Sequence, residues 1–84
     1  MPKLKVERVQ TGVRIEKRML KVLKAFAEVH DMTLGDLIEG IVLHAFEGKT
    51  VPFSKSSLRK IKDLKKVYGM DYGVEAAHKM EEEE

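Results

Sequence analysis

The chain has 84 residues and a mass of 9.6 kDa, the size of one small and marginally stable domain, and its 43% hydrophobic content argues against general disorder. It has no Cys, which excludes disulfides and thiolate chemistry, and we expect neither a membrane-spanning segment nor a signal peptide, hence a cytoplasmic protein. The net charge of +2 is unevenly distributed along the chain. Residues 1–24 have a net charge of +6, residues 25–50 have −4, and residues 51–84 are neutral. The basic N-terminal region suggests a polyanionic partner.

Residues 8–15 alternate between apolar and polar side chains, which predicts a β-strand with one buried face. The buried face holds Val9, Thr11, Val13 and Ile15, and the outward face holds Arg8, Gln10, Gly12 and Arg14. The sequence offers no second convincing strand, and a lone strand cannot satisfy its backbone N–H and C=O groups. Pairing of two such strands across a two-fold axis solves this problem, so we expect a homodimer.

Two amphipathic helices are predicted after the strand. The first has apolar residues at helical spacing from Lys17 onward and ends near His30, with a poorly marked N-cap because Glu16 is not a favoured capping residue. The second starts at a capping box that opens with Thr33, and Gly48 provides its C-terminal stop.

A third helix is predicted after a short linker, with Ser54 as its N-cap and Gly69 at its end. Its apolar stripe consists of Leu58, Ile61, Leu64, Val67 and Tyr68, and its other side is rich in Lys. We expect the Lys-rich side to be a solvated face of a helix that packs on the dimer. Additional phosphate contacts and docking of a protein partner are its other conceivable roles.

The last segment predicts a short helix from Asp71 through Met80, followed by a frayed tail of four Glu residues. The predicted organisation is a domain of residues 1–48, a linker of residues 49–53 and a helical extension with an acidic tail in residues 54–84.

A strand, a helix, a short turn and a helix within about 40 residues resemble the ribbon-helix-helix family of the Arc and MetJ repressors. The matching pattern is Val13-x-Ile15, Met19-Leu20-x-Val22-Leu23-x-x-Phe26-Ala27, the turn Thr33-Leu34-Gly35, and Ile38-x-x-x-Val42. The resemblance implies a mainly α fold in which two chains intertwine and contribute one strand each to an antiparallel ribbon. The dimer core that it implies comprises Val9, Val13, Ile15, Leu20, Leu23, Phe26, Leu34, Leu37, Ile38, Ile41, Val42 and Phe46.

In that family the ribbon enters the major groove of DNA, where its outward side chains contact base edges. Carried over by position, the base-reading residues are Gln10, Gly12 and Arg14, with Arg8 as a further one. Arg14 has the chemistry for a bidentate pair with guanine, and Gln10 has the chemistry for adenine. Gly12 departs from the pattern, because it has no side chain with which to read a base.

The family also holds DNA phosphates at the N-terminus of the second helix, where unpaired N–H groups favour anions. Thr33, Leu34 and Gly35 take that position here, and Asp36 opposes a phosphate unless its carboxylate turns back into the cap. Further contacts with the DNA backbone are expected from Lys3, Lys5, Lys17 and Arg18.

The sequence therefore predicts a homodimer that binds specific double-stranded DNA and represses transcription; whether dimers form higher arrays on DNA is left open. Two alternatives remain, an antitoxin whose residues 51–84 bind a toxin and a dimeric protein-interaction module without DNA binding. We expect no enzymatic activity and no cofactor, because no nucleophile–base pattern is present. A metal site is not expected either, because His30, His44 and His78 lack carboxylates at ligand spacing.

Overall fold

The computed structural model describes residues 4–49 and 53–82. Lys3, three residues of the predicted linker and the last two Glu residues lie outside the described residues. The elements in chain order are β1 (Leu4–Val6), α1 (Lys17–Val29), α2 (Leu34–Phe46), α3 (Lys55–Val67), a 3₁₀ turn (Val74–Ala76) and β2 (Met80–Glu82). The predicted mainly α class and the first three of the four predicted helices are confirmed.

Side chains cap the N-termini of all three helices. The hydroxyl of Thr33 accepts a hydrogen bond from the N–H of Asp36 at 3.0 Å, and the hydroxyl of Ser54 accepts one from Ser57 at 3.0 Å, as the sequence predicts. At α1 the carboxylate of Glu16 accepts hydrogen bonds from two N–H groups, at 3.0 and 3.1 Å. Glu16 is not a favoured capping residue and marks this N-cap poorly in the sequence, yet its longer side chain reaches the N–H groups that a shorter cap would bind.

The three helices also end alike, each with a residue in the left-handed conformation. Gly48 follows α2 with φ 71°, and Gly69 follows α3 with φ 69°, which confirms both predicted ends. The N–H groups of Gly48 and Lys49 both bond back to carbonyls of the last turn of α2 at 3.0 Å. α1 uses Asp31 with φ 58° in the same position, so a residue with a Cβ stands where the other two helices have Gly.

The strands differ from the prediction. Residues 7–16 form no strand in the single chain, because their backbone groups have no neighbouring strand to bond with. Instead β1 and β2 pair in parallel, with Leu4 opposite Met80 and Val6 opposite Glu82. The expectation that the chain holds no second strand was therefore wrong, and the antiparallel ribbon, which needs a second copy, stays a prediction.

The predicted helix over residues 71–80 is reduced to one 3₁₀ turn. The N–H groups at its start are bound by carboxylates, since Gly73 donates to Glu75 at 2.8 Å and Val74 donates to Glu47. His78 then interrupts the chain with φ 63°, and the first half of the acidic tail pairs in β2 instead of fraying. A local hydrogen bond to Glu75 and a long-range one to Glu47 thus prevail over helix propensity, which Gly73 already weakens.

The hydrophobic core of the single chain is small. Among the described residues the buried apolar side chains are Ala27, Leu37, Leu43 and Ala76. The accessible surface is 7279 Å², whereas a compact monomer of this mass exposes about 5,100 Å². The radius of gyration is 14.0 Å, against about 12 Å for a compact chain of this length. The single chain therefore exposes more surface than a compact monomer, and large apolar side chains such as Val9, Val22 and Val29 are among the exposed residues.

Candidate nucleic-acid interface

A groove of about 780 Å³ lies between residues 7–15 and the first two helices. Val9 and Val13 line one wall and remain 79% and 74% exposed. The other wall is formed by α1 and α2, chiefly by Leu20, Leu34, Gly35 and Ile38. Three predicted base-reading residues border this groove, namely Arg8, Gln10 and Gly12. Two predicted phosphate-binding residues, Leu34 and Gly35, border it as well.

The predicted base-reading residues after Arg8 lie on the surface. Gln10, Gly12 and Arg14 are all exposed, and Arg14 lies outside the lining of the groove. A Cβ placed on Gly12 meets no atom within 4 Å. Packing within the single chain therefore does not require glycine at this position, and any need for it must come from a partner.

Arg8 has a partner that the sequence did not reveal. Its guanidinium donates two hydrogen bonds of 2.9 Å to the carboxylate of Glu39 in α2, and both side chains are about one-third exposed. These hydrogen bonds raise the pKa of Arg8 above its usual value despite partial burial, and the carboxylates of Glu82 and Asp36 act in the same direction. In the single chain Arg8 is thus bound to α2, whereas Arg14 forms no ion pair within the described residues.

At the start of α2 the predicted phosphate-binding residues form an accessible turn. The hydroxyl of Thr33 caps the helix, Leu34 is half-buried and Gly35 is exposed. A Cβ on Gly35 would meet only the hydroxyl of Thr33, at an ordinary 3.9 Å. The carboxylate of Asp36 does not complete the capping box but lies 3.1 Å from the Nδ1 atom of His78. That contact is a feature the sequence did not indicate.

The remaining predicted backbone contacts lie near the N-terminus. Lys17 and Arg18 are exposed in the first turn of α1, and the Nε atom of Arg18 lies 3.1 Å from the carboxylate of Glu16. The backbone N–H of Arg18, then its side chain, and then the N–H of the following residue lower the pKa of Glu16. Lys5 lies in β1 with its ammonium 3.8 Å from the carboxylate of Glu81. Two of these cations thus have carboxylate partners within the chain.

Most of the predicted dimer core is not buried in the single chain. Leu37 is buried, Ile15, Leu20, Leu23, Leu34, Ile38 and Phe46 are half-buried, and Val9, Val13, Phe26, Ile41 and Val42 are exposed. Three more residues on the same helix as Phe26 are exposed as well, namely Met19, Val22 and Val29. On α1 and α2, the exposed apolar side chains that nothing in the described chain covers are Met19, Val22, Phe26, Val29, Ile41 and Val42.

The third helix is only partly packed. Leu58 and Ile61 are half-buried as expected, whereas Leu64 and Val67 are exposed. A nearly wholly apolar cavity of about 250 Å³ lies between α3 and Phe46 at the end of α2. The apolar stripe of α3 is therefore open to solvent over much of its length.

The described residues contain no cluster of three or more side chains that could hold a metal ion. Each histidine has a different neighbour: the His30 ring lies 4.4 Å from that of Phe26, and the His44 ring nitrogen lies 2.7 Å from a carbonyl of its own helix. In the same part of the chain, no helix has both the length and the apolar character needed to cross a bilayer.

Comparison of the chain with family models, with curated proteins and with solved structures gives no match.

Proposed function

We propose that the chain binds specific double-stranded DNA as a homodimer of ribbon-helix-helix type and acts as a transcriptional repressor. Residues 8–15 of two copies would form an antiparallel ribbon that enters the major groove. The observation that carries the proposal is the state of this segment in the single chain: it has no paired strand, and its Val9 and Val13 lie uncovered on an apolar groove.

A second copy supplies what this segment lacks. Pairing of two strands would satisfy the backbone N–H and C=O groups, and the apolar surfaces of α1 and α2 would cover each other. The total accessible surface of the single chain, 7279 Å², exceeds that of a compact monomer by about 2,200 Å². Stable interfaces bury about 800 Å² on each partner and obligate ones more, so the uncovered surface is large enough for an intertwined dimer.

The charge distribution supports DNA as the ligand. Residues 1–24, which contain the predicted ribbon and the start of α1, carry a net charge of +6. Gln10 and Arg14 are exposed and have the functional groups that read adenine and guanine, while Lys17 offers an exposed cation for a phosphate. Gly35 leaves the N–H groups at the start of α2 accessible to a second phosphate.

The dimer is tested by two matched substitutions. Val13→Asp and Val67→Asp each place a carboxylate at a valine that is nearly three-quarters exposed in the single chain, 74% and 72% respectively. The proposal expects sedimentation equilibrium to show a dimer for the wild type and for Val67→Asp but a monomer or unfolded chain for Val13→Asp. A monomeric wild type, or a dimer that tolerates Val13→Asp, would contradict it.

DNA binding is tested by selecting bound duplexes from a random pool and measuring their affinity at several salt concentrations. Arg14→Ala should relax the base preference at one position at a cost of about 1–3 kcal/mol. Lys17→Ala should weaken binding to all sequences similarly and reduce the salt slope by about 1. If the wild-type dimer enriches no sequence and retards no duplex at low salt, the protein does not bind DNA in this way.

A second function is favoured by one observation, the open apolar stripe of α3. Leu64 and Val67 are exposed beside an apolar cavity, as they would be on a helix that docks a protein partner. This is the arrangement that an antitoxin or an interaction module would use. Co-purification of a partner that is lost in a Leu64→Asp variant would support it. Resistance of residues 54–69 to proteases in the isolated dimer would count against it.

A further inference from the structure

The two ends of the described chain meet in one small sheet of opposite charge. β1 comes from the basic N-terminal region and β2 from the acidic tail, and they pair in parallel with Lys5 opposite Glu81. The Lys5 ammonium lies 3.8 Å from the Glu81 carboxylate. The pairing brings a carboxylate of the tail to a lysine that is predicted to bind a DNA phosphate.

The tail also acts on a second predicted DNA contact. Glu82 lies opposite Val6, two residues before Arg8, and its negative charge helps to raise the pKa of Arg8. Lys5 and Arg8 therefore have the carboxylates of Glu81 and Glu82 nearby, on the side of the chain where the proposed ribbon begins. A polyanion that approached these cations would be repelled by the two carboxylates near them.

This sheet is weakly held. It has two strands of three residues each, and a sheet of that size is marginal in water. The Lys5 and Glu81 side chains are more than half exposed, so their ion pair is largely screened. Met80 is half-buried and lines a small apolar depression that Val6 also borders, which gives the strand one apolar anchor. The contact is thus strong enough to form within one chain and weak enough to be displaced.

We propose that β2 is an internal competitor of DNA, which occupies the basic N-terminal strand until a duplex of sufficient affinity displaces it. This inference rests on the proposed DNA binding and adds its regulation. Random DNA, held mainly by phosphate contacts, cannot use Lys5 until β2 is displaced, whereas specific DNA offsets the free-energy cost of displacement with base contacts. Displacement of β2 costs every duplex the same free energy, so the tail lowers all DNA affinities by one factor, and at a given protein concentration only duplexes with base contacts stay bound.

The test compares the full chain with Glu81→Gln/Glu82→Gln, using a fluorescent duplex of random sequence. A matched control, Asp63→Asn/Asp71→Asn, removes two exposed carboxylates that lie outside β2. We expect the Gln variant alone to bind the random duplex more tightly and with a steeper salt dependence. Each restored phosphate contact adds about 0.9 to the slope, or about 3.5-fold in affinity between 50 and 200 mM salt.

Equal tightening of both variants, or of neither, would overturn the competition while leaving DNA binding intact. Failure of the wild type and of both variants to bind any duplex would overturn the proposed function and this inference together. Amide hydrogen exchange gives a second readout, because DNA should remove the protection of residues 4–6 and 80–82. Protection that persists in the DNA complex would show that β2 is not displaced.

Discussion

The guanidinium of Arg8 donates two hydrogen bonds of 2.9 Å to the carboxylate of Glu39, which lies 31 residues further along the chain. The pair ties the first residue of the proposed ribbon to the middle of α2. Because α2 also begins with the proposed phosphate-binding turn at Thr33, the pair helps to set the spacing between the two proposed DNA contacts. In the single chain this ion pair therefore positions the proposed ribbon segment against α2. Arg8 is not free to contact a base in this state.

A double-mutant cycle with Arg8→Gln and Glu39→Gln should give a coupling free energy of about 1 kcal/mol. The bidentate geometry favours this pair over an ordinary surface ion pair, while its partial exposure keeps the value near the upper end of the surface range. Urea unfolding at one fixed protein concentration measures it. Arg14→Gln serves as the control, because removal of this exposed side chain should change stability by less than about 0.5 kcal/mol. A coupling free energy that does not differ from zero within experimental error would contradict the prediction.

Replacement of Asp31 by Gly should stabilise the protein by about 0.5–1 kcal/mol. Asp31 has φ 58°, a conformation that a Cβ disfavours and that Gly adopts without cost. The matched control is Gly69→Ala, at φ 69°, where an added Cβ meets no atom within 4 Å and so reports the backbone strain alone. A gain of 1 kcal/mol corresponds to about 4–8 °C in Tm for a domain of this size. A Tm that falls for Asp31→Gly, or rises for Gly69→Ala, would contradict this account.

Local signals explain why the helices could be predicted from the sequence. Thr33 and Ser54 sit within three residues of the N–H groups that they cap, and Gly48 and Gly69 adopt the positive φ that ends a helix. All four depend on neighbours in the sequence. The caps and ends of α2 and α3 could therefore be predicted without tertiary information. The carboxylate cap at Glu16 and the loss of the predicted helix over residues 71–80 could not.

Contacts between residues that are far apart in the sequence could not be predicted from local sequence signals. β2 is only three residues long and shows no alternation, so its pairing with β1 could not be inferred from periodicity. Glu39 is a single carboxylate on a helix, and nothing in its surroundings marks it as the partner of Arg8. The candidate site residues stay a prediction, whereas the carboxylates that pair with Lys5 and Arg8 could not be inferred from the sequence.

Acid should weaken α1 through its N-cap. Hydrogen bonds from backbone N–H groups and from Arg18 lower the pKa of Glu16 below its usual 4.5. A carboxyl whose pKa is lower in the folded state contributes stability that is fully present above 4.5 and is lost as the pH falls through the folded value. Glu16→Gln should therefore be less stable than the wild type at pH 7, with the difference shrinking below pH 4.5.

Urea midpoints measured between pH 7 and pH 2.5 test this pH dependence. Glu16→Asp is the control, because Asp is a favoured N-cap and keeps an ionisable group at the same place. Its stability should fall with acid as that of the wild type does. A wild type and a Glu16→Gln variant that differ by the same amount at every pH would show that the charge of Glu16 contributes nothing to the cap.

The last prediction concerns the contact between Gly40 and His78. Gly40 is buried in the middle of α2, and a Cβ there would come within 2.8 Å of the His78 ring. The ring is also held by the Asp36 carboxylate at 3.1 Å, so an added methyl group must displace it from that partner. In a helix interior Gly→Ala ordinarily stabilises by about 1 kcal/mol. Gly40→Ala should therefore gain less than this in the wild-type chain.

The background His78→Gly removes the ring and also suits the φ of 63° at this position, so it introduces no backbone strain of its own. In that background Gly40→Ala should give the whole gain of about 1 kcal/mol. The difference between the two gains, measured by urea unfolding, reports the coupling between α2 and the C-terminal segment that leads into β2. Equal gains in both backgrounds would mean that His78 does not rest on Gly40. Because this segment carries the acidic strand, a real coupling predicts that Gly40→Ala also reduces the hydrogen-exchange protection of residues 80–82.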